Sequence, residues 1–418
     1  MFLNFPDQRP FKPEVSLYCI MLFSSIFEHT FYRFMINKIF KISILFLLVY
    51  TTAKAQNTPQ SDGKLSNTIQ TAAPFLLIAP DARSGAMGDA GVAISPDANS
   101  LHWNPAKMAF MEDPTGFSVS YTPWLRNLVP DIDLGYLSVY HRLDERNTIG
   151  GSLRYFSYGS IQLTDNSMQD IGIYSPNEFS VDGTFARKFG ETFSLGTALR
   201  YVRSSLSNGQ FNGQEIRPAS SMAADISAYY RNGTVLLGKD AEVSLGVNIS
   251  NIGTKVSYSD AAEKSFLPTN FKIGGATTFN LDDLNTFAVA LDINKLLVPT
   301  TPIRDENGLI TSGKDPDRSV PAGIFGSFSD APGGFSEELR EISYSLGTEY
   351  WYNRQFAIRA GYFYENPTKG DRQYLTLGAG LKYNVFNLDF AYLVANQQKS
   401  PLAQTLRFSL IFNFENKQ

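Results

Sequence analysis

Cysteine and histidine are nearly missing from this chain. Cys19 is the single cysteine among 418 residues, and there are three histidines. Cys19 falls before the point at which the chain is expected to be cleaved on export. The mature chain then has no thiol, which excludes a disulfide scaffold and thiolate metal sites. Past that point only His102 and His141 remain, too few for a histidine metal cluster and poorly placed for a Ser-His-Asp arrangement. No catalytic residue, metal or cofactor is expected. Beyond Ala55 no apolar run approaches the ~18 residues a membrane-spanning helix needs. Basic runs are lacking too: the residues after Ala55 hold 30 basic and 37 acidic side chains, a net charge of −7, which gives no footprint for nucleic acid.

What is present begins with an address. "MINKIFKISILFLLVYTTAKAQ" carries Lys38 and Lys41, then the apolar run Ile42–Tyr50, then Ala53-Lys54-Ala55. That is the n-region, h-region and cleavage pattern of a secretory signal peptide. Residues 35–55 are therefore expected to be removed near Ala55, leaving Gln56 first. Signal peptides begin a chain, so Met35 is the expected start and residues 1–34 an extension of the gene model. Residues 56–72, rich in Thr, Ser, Gln and Asn, are expected to form a flexible lead.

From residue 116 to 418 the pattern changes to period two. In "LRFSLIFNF", Leu406, Phe408, Leu410, Phe412 and Phe414 share one face, with Arg407, Ser409 and Asn413 opposite. Fourteen such segments start near Phe117, Asp133, Thr148, Glu178, Phe193, Ser220, Ala241, Phe271, Asn285, Glu341, Gln355, Gln373, Asn387 and Leu406. The number is even, as single-chain outer-membrane barrels require. The connections alternate, with "DERN", "GET", "LDDL", "YNR" and "NVF" short and those between them long. Only "NGTVLLGKD" is intermediate. Alternating short turns and long loops distinguish a transmembrane barrel from a soluble sandwich. The expected fold is all-β, a 14-stranded antiparallel transmembrane β-barrel.

The faces opposite the apolar ones carry Arg154, Arg200, Arg359, Arg407 and Lys382, with Asp182, Asp225, Asp292, Glu349 and Asp389. Mixed charges of this kind are expected to pair across the lumen, whereas a selective pore favours a ring of one sign.

Residues 73–115 do not alternate. "APDARSGAMGDAGVAISPDANSLHWNPA" spaces Gly85, Gly88 and Gly91 among alanines and ends in Trp103-Asn104-Pro105. The glycines permit close backbone approach and positive φ. Ser95 or Asp97 is expected to cap a short helix, and Asn104 to bond the following backbone where Pro105 fixes direction. The glycine spacing lacks the start and the strand–helix context of a phosphate loop. An N-terminal hatch that folds into the barrel mouth is expected, with Asp81, Arg83, Gly85, Gly88, Asp89, Gly91, Trp103, Asn104 and Pro105 as its motif. The carboxylates of Asp81 and Asp89 are expected to tolerate replacement by amides.

With "APFLLIAPDARSGAMGDAGVAISPDANSLHWNPAKMAF", "SFLPTNFKIGGA", "LDINKLLVPT" and "APGGFSEELREISYSLGTEYWYN", the chain resembles the PorV (LptO) family of the type IX secretion system. That family lies within the FadL-type outer-membrane barrels. The resemblance runs from about Ala73 to Phe414. It implies a fourteen-stranded barrel in a Gram-negative outer membrane, in contact with outer-membrane lipid, and a non-enzymatic role. The implied partners are the large translocon barrel, cargo proteins with a conserved C-terminal secretion domain, and the surface attachment complex. A link to lipopolysaccharide deacylation also attaches to the family, but no residue here stands out to carry it.

One loop is far longer than ordinary connections, which marks it as a functional candidate. In Pro299–Arg340, Phe325, Phe328 and Phe335 are candidate partner contacts, or else fold the loop onto the rim. The alternative function is FadL-like transport of hydrophobic small molecules, which needs an apolar path through the lumen.

Overall fold

The computed structural model describes residues 67–414, apart from 126–128, 130, 165–168, 207–208, 212–213, 260–263 and 396–404. Residues 1–34, the expected signal peptide and residues 56–66 of the expected lead lie outside the described residues.

Period-two patterning becomes fourteen strands in one closed sheet. They are β1 (Thr115–Pro123), β2 (Asp133–Arg142), β3 (Asn147–Ser157), β4 (Asn177–Phe189), β5 (Phe193–Ser205), β6 (Ala219–Leu236) and β7 (Lys239–Gly253). The second half comprises β8 (Asn270–Asn280), β9 (Asn285–Leu296), β10 (Ile342–Tyr352), β11 (Phe356–Tyr364), β12 (Gln373–Tyr383), β13 (Phe386–Ala395) and β14 (Leu406–Phe414). Each strand pairs antiparallel with the next. β1 closes on β14 from Thr115↔Phe414 to Tyr121↔Phe408. All fourteen starts fall within two residues of those read from the sequence.

Exposure is inverted relative to a water-soluble protein. Along β5, Leu195, Leu199 and Tyr201 are exposed while Ser194, Arg200 and Ser204 are buried. Val119, Leu153, Leu245, Leu346 and Leu388 continue the exposed apolar surface around the ring. In water such a surface would drive aggregation; as a band around a barrel it is the face that meets lipid.

At one end the strands are joined by tight turns. Asp144 accepts the backbone N–H groups of Arg146 and Asn147 at 2.7 and 2.8 Å, and Asp282 those of Leu284 and Asn285 at 2.9 Å each. The connection that looked intermediate, "NGTVLLGKD", is such a turn. The β6–β7 ladder continues to Leu236↔Lys239, leaving Leu237 and Gly238 at φ 53° and 75°. Both residues are left-handed, as a two-residue hairpin turn demands. The polar look of Asn232 and Gly233 had disguised strand as loop. The long loops gather at the other end and carry small hairpins of their own, Ile161–Thr164 with Asp170–Tyr174 and Ile303–Arg304 with Ile310–Ser312.

Residues 74–111 lie inside the barrel. They form short helical turns at Pro74–Leu77, Ala82–Gly85, Ser100–Trp103 and Pro105–Phe110. Leu101, Met108 and Phe110 pack with Tyr140, Tyr229 and Ile411 of the wall. Phe75 and Leu76 pack with Phe156, Val202 and Leu267. The segment enters at the long-loop end, where Ala72 N donates to Phe266 O at 2.8 Å, and leaves at the short-turn end into β1. Residues 67–72 are not the loose lead expected. Asn67 N donates to Thr368 O at 3.0 Å, and Asn67 Nδ2 to Thr301 O and Glu337 Oε1 at 3.1 Å each. A polar run reads as disordered only until partners for its amides are known.

Candidate functional site

The lumen segment is bound to the wall through backbone as much as through side chains. Three glycines make this possible in two ways. Gly88 has φ +67°, and a Cβ there would stand 2.6 Å from Tyr362 N and 2.7 Å from Tyr362 O. Gly85 and Gly91 are not left-handed. They leave room for Arg407 and for the Trp103 ring, which a Cβ would overlap. Gly88 N donates to Thr376 Oγ1 at 2.8 Å, and that hydroxyl donates to Ala86 O at 2.9 Å. Gly91 N and Val92 N both donate to Asp292 Oδ2, at 2.7 and 2.9 Å.

Each charged residue of the motif has a defined partner. Asp81 caps the turn Ala82–Gly85 by accepting from Ser84 N at 2.8 Å, and its other oxygen accepts from Trp103 Nε1 at 2.6 Å. Burial, with Asp97 nearby, pushes the Asp81 carboxyl above its usual range, against these two donors. Arg83 grips Glu349 bidentately at 3.0 and 2.8 Å, and its third nitrogen reaches Asp97 at 2.9 Å. Asp89, at φ 62°, accepts from Arg407 at 2.7 Å and from the Tyr374 hydroxyl at 2.6 Å. The Asp81 and Asp89 carboxylates are thus each held by two donors. Asn99 directly precedes Ser100–Trp103 but makes no side-chain cap bond; of the two expected caps it is Asp97 whose carboxylate accepts a backbone N–H there, from Asn99 N at 2.8 Å.

Asn104 acts in both directions. Its Oδ1 accepts from Ala106 N at 3.1 Å, while Nδ2 donates to Val92 O and to Ala228 O of β6, each at 3.0 Å. Pro105 starts the turn Pro105–Phe110. Lys107, buried, donates to Gly91 O at 2.8 Å, and burial lowers its pKa to about 8. Arg154 donates to Phe75 O and Leu76 O at 3.2 and 2.8 Å and to His102 Nδ1 at 2.6 Å. A guanidinium can only donate, so His102 is the neutral tautomer with its proton on Nε2. Burial and the Arg154 charge also hold its pKa well below the usual histidine value.

Lumen charges therefore pair, but not across open space. Arg200 bonds Asp182 and Asp225 on the two strands beside it, at 2.7 and 3.0 Å. Arg359 bonds Glu349 on the adjacent β10 and reaches past β12 to Asp389 on β13, both at 2.6 Å. The remaining cross-links run through the segment, by Arg83–Glu349 and Arg407–Asp89. Lys382, expected in the lumen, is exposed near the short-turn end of β12, where the inward face has already run out of the barrel. Ser194, Ser227, Thr376 and Ser409 are wall contacts that the sequence reading missed. Their signal was small polar residues in the inward register.

At the long-loop end, the chain between β9 and β10 folds into the short helices Val320–Gly326 and Phe335–Arg340. Beneath them Lys295 bonds Glu338 and Glu341 at 2.9 and 2.6 Å, and Lys369 bonds Glu337 and Glu341 at 2.6 and 3.0 Å. Burial opposes ionisation of Glu337, but the Lys369 ammonium outweighs it and holds the carboxyl below its usual range. Above this buried network Phe325 and Phe335 are 79% and 76% exposed and Phe328 52%. His141, by contrast, sits at the short-turn end, its Nδ1 2.7 Å from Thr115 Oγ1. Among the described residues no group of His, Cys, Asp and Glu is arranged to hold a metal.

No curated protein matches this sequence. Similar solved structures include the Pseudomonas putida toluene transporter TodX, at 12% identity and TM-score 0.45 over 83% of this chain and 98% of that one. A Pseudomonas aeruginosa FadL homologue is similar at 11% identity and TM-score 0.44, over 84% of this chain and 100% of that one. The family model described as type IX secretion system protein PorV matches residues 60–303. That match spans more than half of the sequence, and the chain belongs to the PorV family of outer-membrane components of the type IX secretion system.

Proposed function

We propose that this barrel takes proteins bearing a C-terminal secretion domain from the large translocon barrel and passes them to the surface attachment complex, binding them on its long-loop rim. One observation carries the reading: at the rim, exposure and anchorage coincide. Phe325 and Phe335 stand in solvent, while Glu337, Glu338 and Glu341 in the same stretch are buried against two lysines. An exposed aromatic on a fixed backbone loses little entropy when a partner covers it. Loops folded only to shield the rim would hide such rings.

In this reading residues 73–115 are the hatch, and the barrel carries cargo on its rim rather than through its lumen. Such a role needs no catalytic group. FadL-like transport of hydrophobic small molecules needs an apolar path, and the contacts of Arg83, Asn104 and Asp292 fill that path with hydrogen-bonded polar groups.

The test is a photo-crosslinking residue at Phe325 or Phe335 in living cells, which should capture cargo or translocon. Phe325→Ser with Phe335→Ser should leave cargo undelivered while the barrel remains folded. Wild-type delivery by that double variant would refute the rim assignment.

A further inference from the structure

A hollow of about 240 Å³ opens in the long-loop rim. It lies between Asn67, the start of the β9–β10 connection at Pro302 and Ile303, and the helix Phe335–Arg340. A bound water needs only ~10–15 Å³, so the hollow suits a short stretch of chain rather than a single ion. Pro302 and Ile303 make one side apolar, and the exposed Phe335 stands on the helix that forms another.

Most polar groups around it are spent. Asn67 Nδ2 donates to Thr301 O and Glu337 Oε1, and Thr368 Oγ1 donates to Asn366 Oδ1 at 2.9 Å. Glu337 also accepts from Lys369 Nζ and, through Oε2, from Gly333 N, both at 2.6 Å. Arg340 is the exception. Among the described residues no hydrogen bond or ion pair ends on its guanidinium, and its Nε, shut away from solvent, has no acceptor. A guanidinium offers five N–H donors, and donors withdrawn from water without acceptors are unfavourable.

Charge is not what Arg340 lacks. Glu337, Glu338 and Glu341 carry three negative charges against the two positive charges of Lys295 and Lys369. Arg340 supplies the third. Its Nη2 and Glu337 Oε2 both approach Gly333, 3.5 and 2.8 Å from where a Cβ would stand. The group is then neutral, and an entering anion would meet the Glu337 carboxylate as well as the guanidinium. What the hollow lacks is an acceptor without charge. The main-chain carbonyls of a polypeptide are acceptors of that kind.

We propose that the hollow takes an uncharged, extended stretch of the docked protein. Its main-chain carbonyls accept from the Arg340 guanidinium, and an apolar side chain of the same stretch rests on Pro302 and Ile303. This role presupposes docking at the rim and adds direction to it. An exposed ring such as Phe335 gives contact in any orientation, whereas hydrogen bonds from Arg340 fix which part of the partner lies where.

The experiment uses the purified full-length barrel in detergent and a fluorescently labelled cargo protein that retains its C-terminal secretion domain. Arg340→Leu should weaken binding about tenfold or more. Arg304→Leu, at an exposed rim cation outside the hollow, should not. The loss in Arg340→Leu should be the same at low and high salt, since a neutral acceptor leaves little to screen. A loss that disappears in high salt would reveal an anion and overturn the proposal, as would unchanged binding by Arg340→Leu. A photo-crosslinking residue at the exposed Ile303 should attach to a cargo stretch without Asp, Glu or a chain end, and attachment at a carboxylate-bearing residue counts against the proposal. Heat-modifiable electrophoretic mobility of Arg340→Leu confirms that the barrel stays folded. Phe325→Ser with Phe335→Ser is titrated beside it. Weakening by that pair alone keeps the rim and removes the hollow; weakening by Arg340→Leu alone keeps the hollow and removes the aromatic contacts.

Discussion

Replacing Gly88 by alanine places one methyl group where strand backbone already stands. The added Cβ would lie 2.6–2.8 Å from Tyr362 N, C and O, and those atoms belong to β11, held on both sides by ladder pairing. Neither partner can swing aside as a side-chain tip would. The φ of +67° adds a left-handed penalty of ~1–2 kcal/mol for a residue with a Cβ. Forcing a methyl into a packed site adds ~1–3 kcal/mol, so the expected loss is roughly 2–5 kcal/mol. The control is Gly183→Ala on the lipid face of β4, where nothing lies within 4 Å and φ is not positive. There a strand glycine replaced by alanine should be neutral or stabilising by up to ~1 kcal/mol. Urea titration in lipid vesicles reads the barrel. Acrylamide quenching of Trp103, with the other two tryptophans replaced, reads whether the segment has left the lumen while the barrel persists. The reasoning fails if Gly88→Ala stays within ~0.5 kcal/mol of Gly183→Ala by the first measure and Trp103 remains shielded by the second.

Leu199→Arg, at a position 64% exposed on the outer face of β5, should destabilise the barrel by ~2–4 kcal/mol at mid-bilayer depth. Leu237→Arg, 94% exposed at a turn tip, should have little effect, and equal tolerance of both would show that no lipid band runs between them. A cysteine at Leu309 should label from outside intact cells and one at Leu237 should not; the opposite result would invert the barrel. Lys107, with its pKa lowered to about 8 from an unfolded value of 10.5, binds fewer protons folded than unfolded between those values. Stability should therefore rise with pH from about 8 to 10.5, by up to roughly 3 kcal/mol, and the rise should vanish in Lys107→Met. A flat difference between the two proteins across that window would refute the assignment. Asp89→Asn leaves Arg407 buried beside an uncharged partner and should destabilise by ~3–5 kcal/mol; a wild-type melting curve would show the pair to be dispensable.

The wall was readable because lipid on one side and polar packing on the other impose period two on every strand. That signal is strong enough to place the start of β14 at Leu406 without error. It misled where composition mimicked a loop, at Asn232 and Gly233, which continue β6, and at Lys382, which is exposed at the short-turn end of β12. The lumen was half readable. Register identified Glu349 and Asp292 as inward, but not that their partners would be Arg83 and the backbone of Gly91 and Val92, because partners on a non-strand segment leave no period. For the same reason the sequence placed Ser409 on the inward face without showing what it meets. It is wedged between Ala82 N at 2.8 Å and Ser120 Oγ at 2.7 Å. The Lys295–Glu341–Lys369 network under the rim was invisible, since its members come from β9, the end of one loop and the middle of another.

The bond from Ala82 to Ser409 joins residues 327 apart in sequence, and those from Ala86 and Gly88 to Thr376 span 290 and 288. Contacts of such separation come late in folding, after most loop-closure entropy has been met. The lumen segment lies near the start of the described residues, yet several of its anchors stand on β12 and β14. Its anchorage is therefore complete only when nearly the whole polypeptide is present. The final docking of β14 on β1 then does two things at once, sealing the wall and supplying Arg407 and Ser409 to the segment inside. A chain cut short by that one strand loses the seam and the anchorage together, so completeness of the barrel and capture of its contents are a single event.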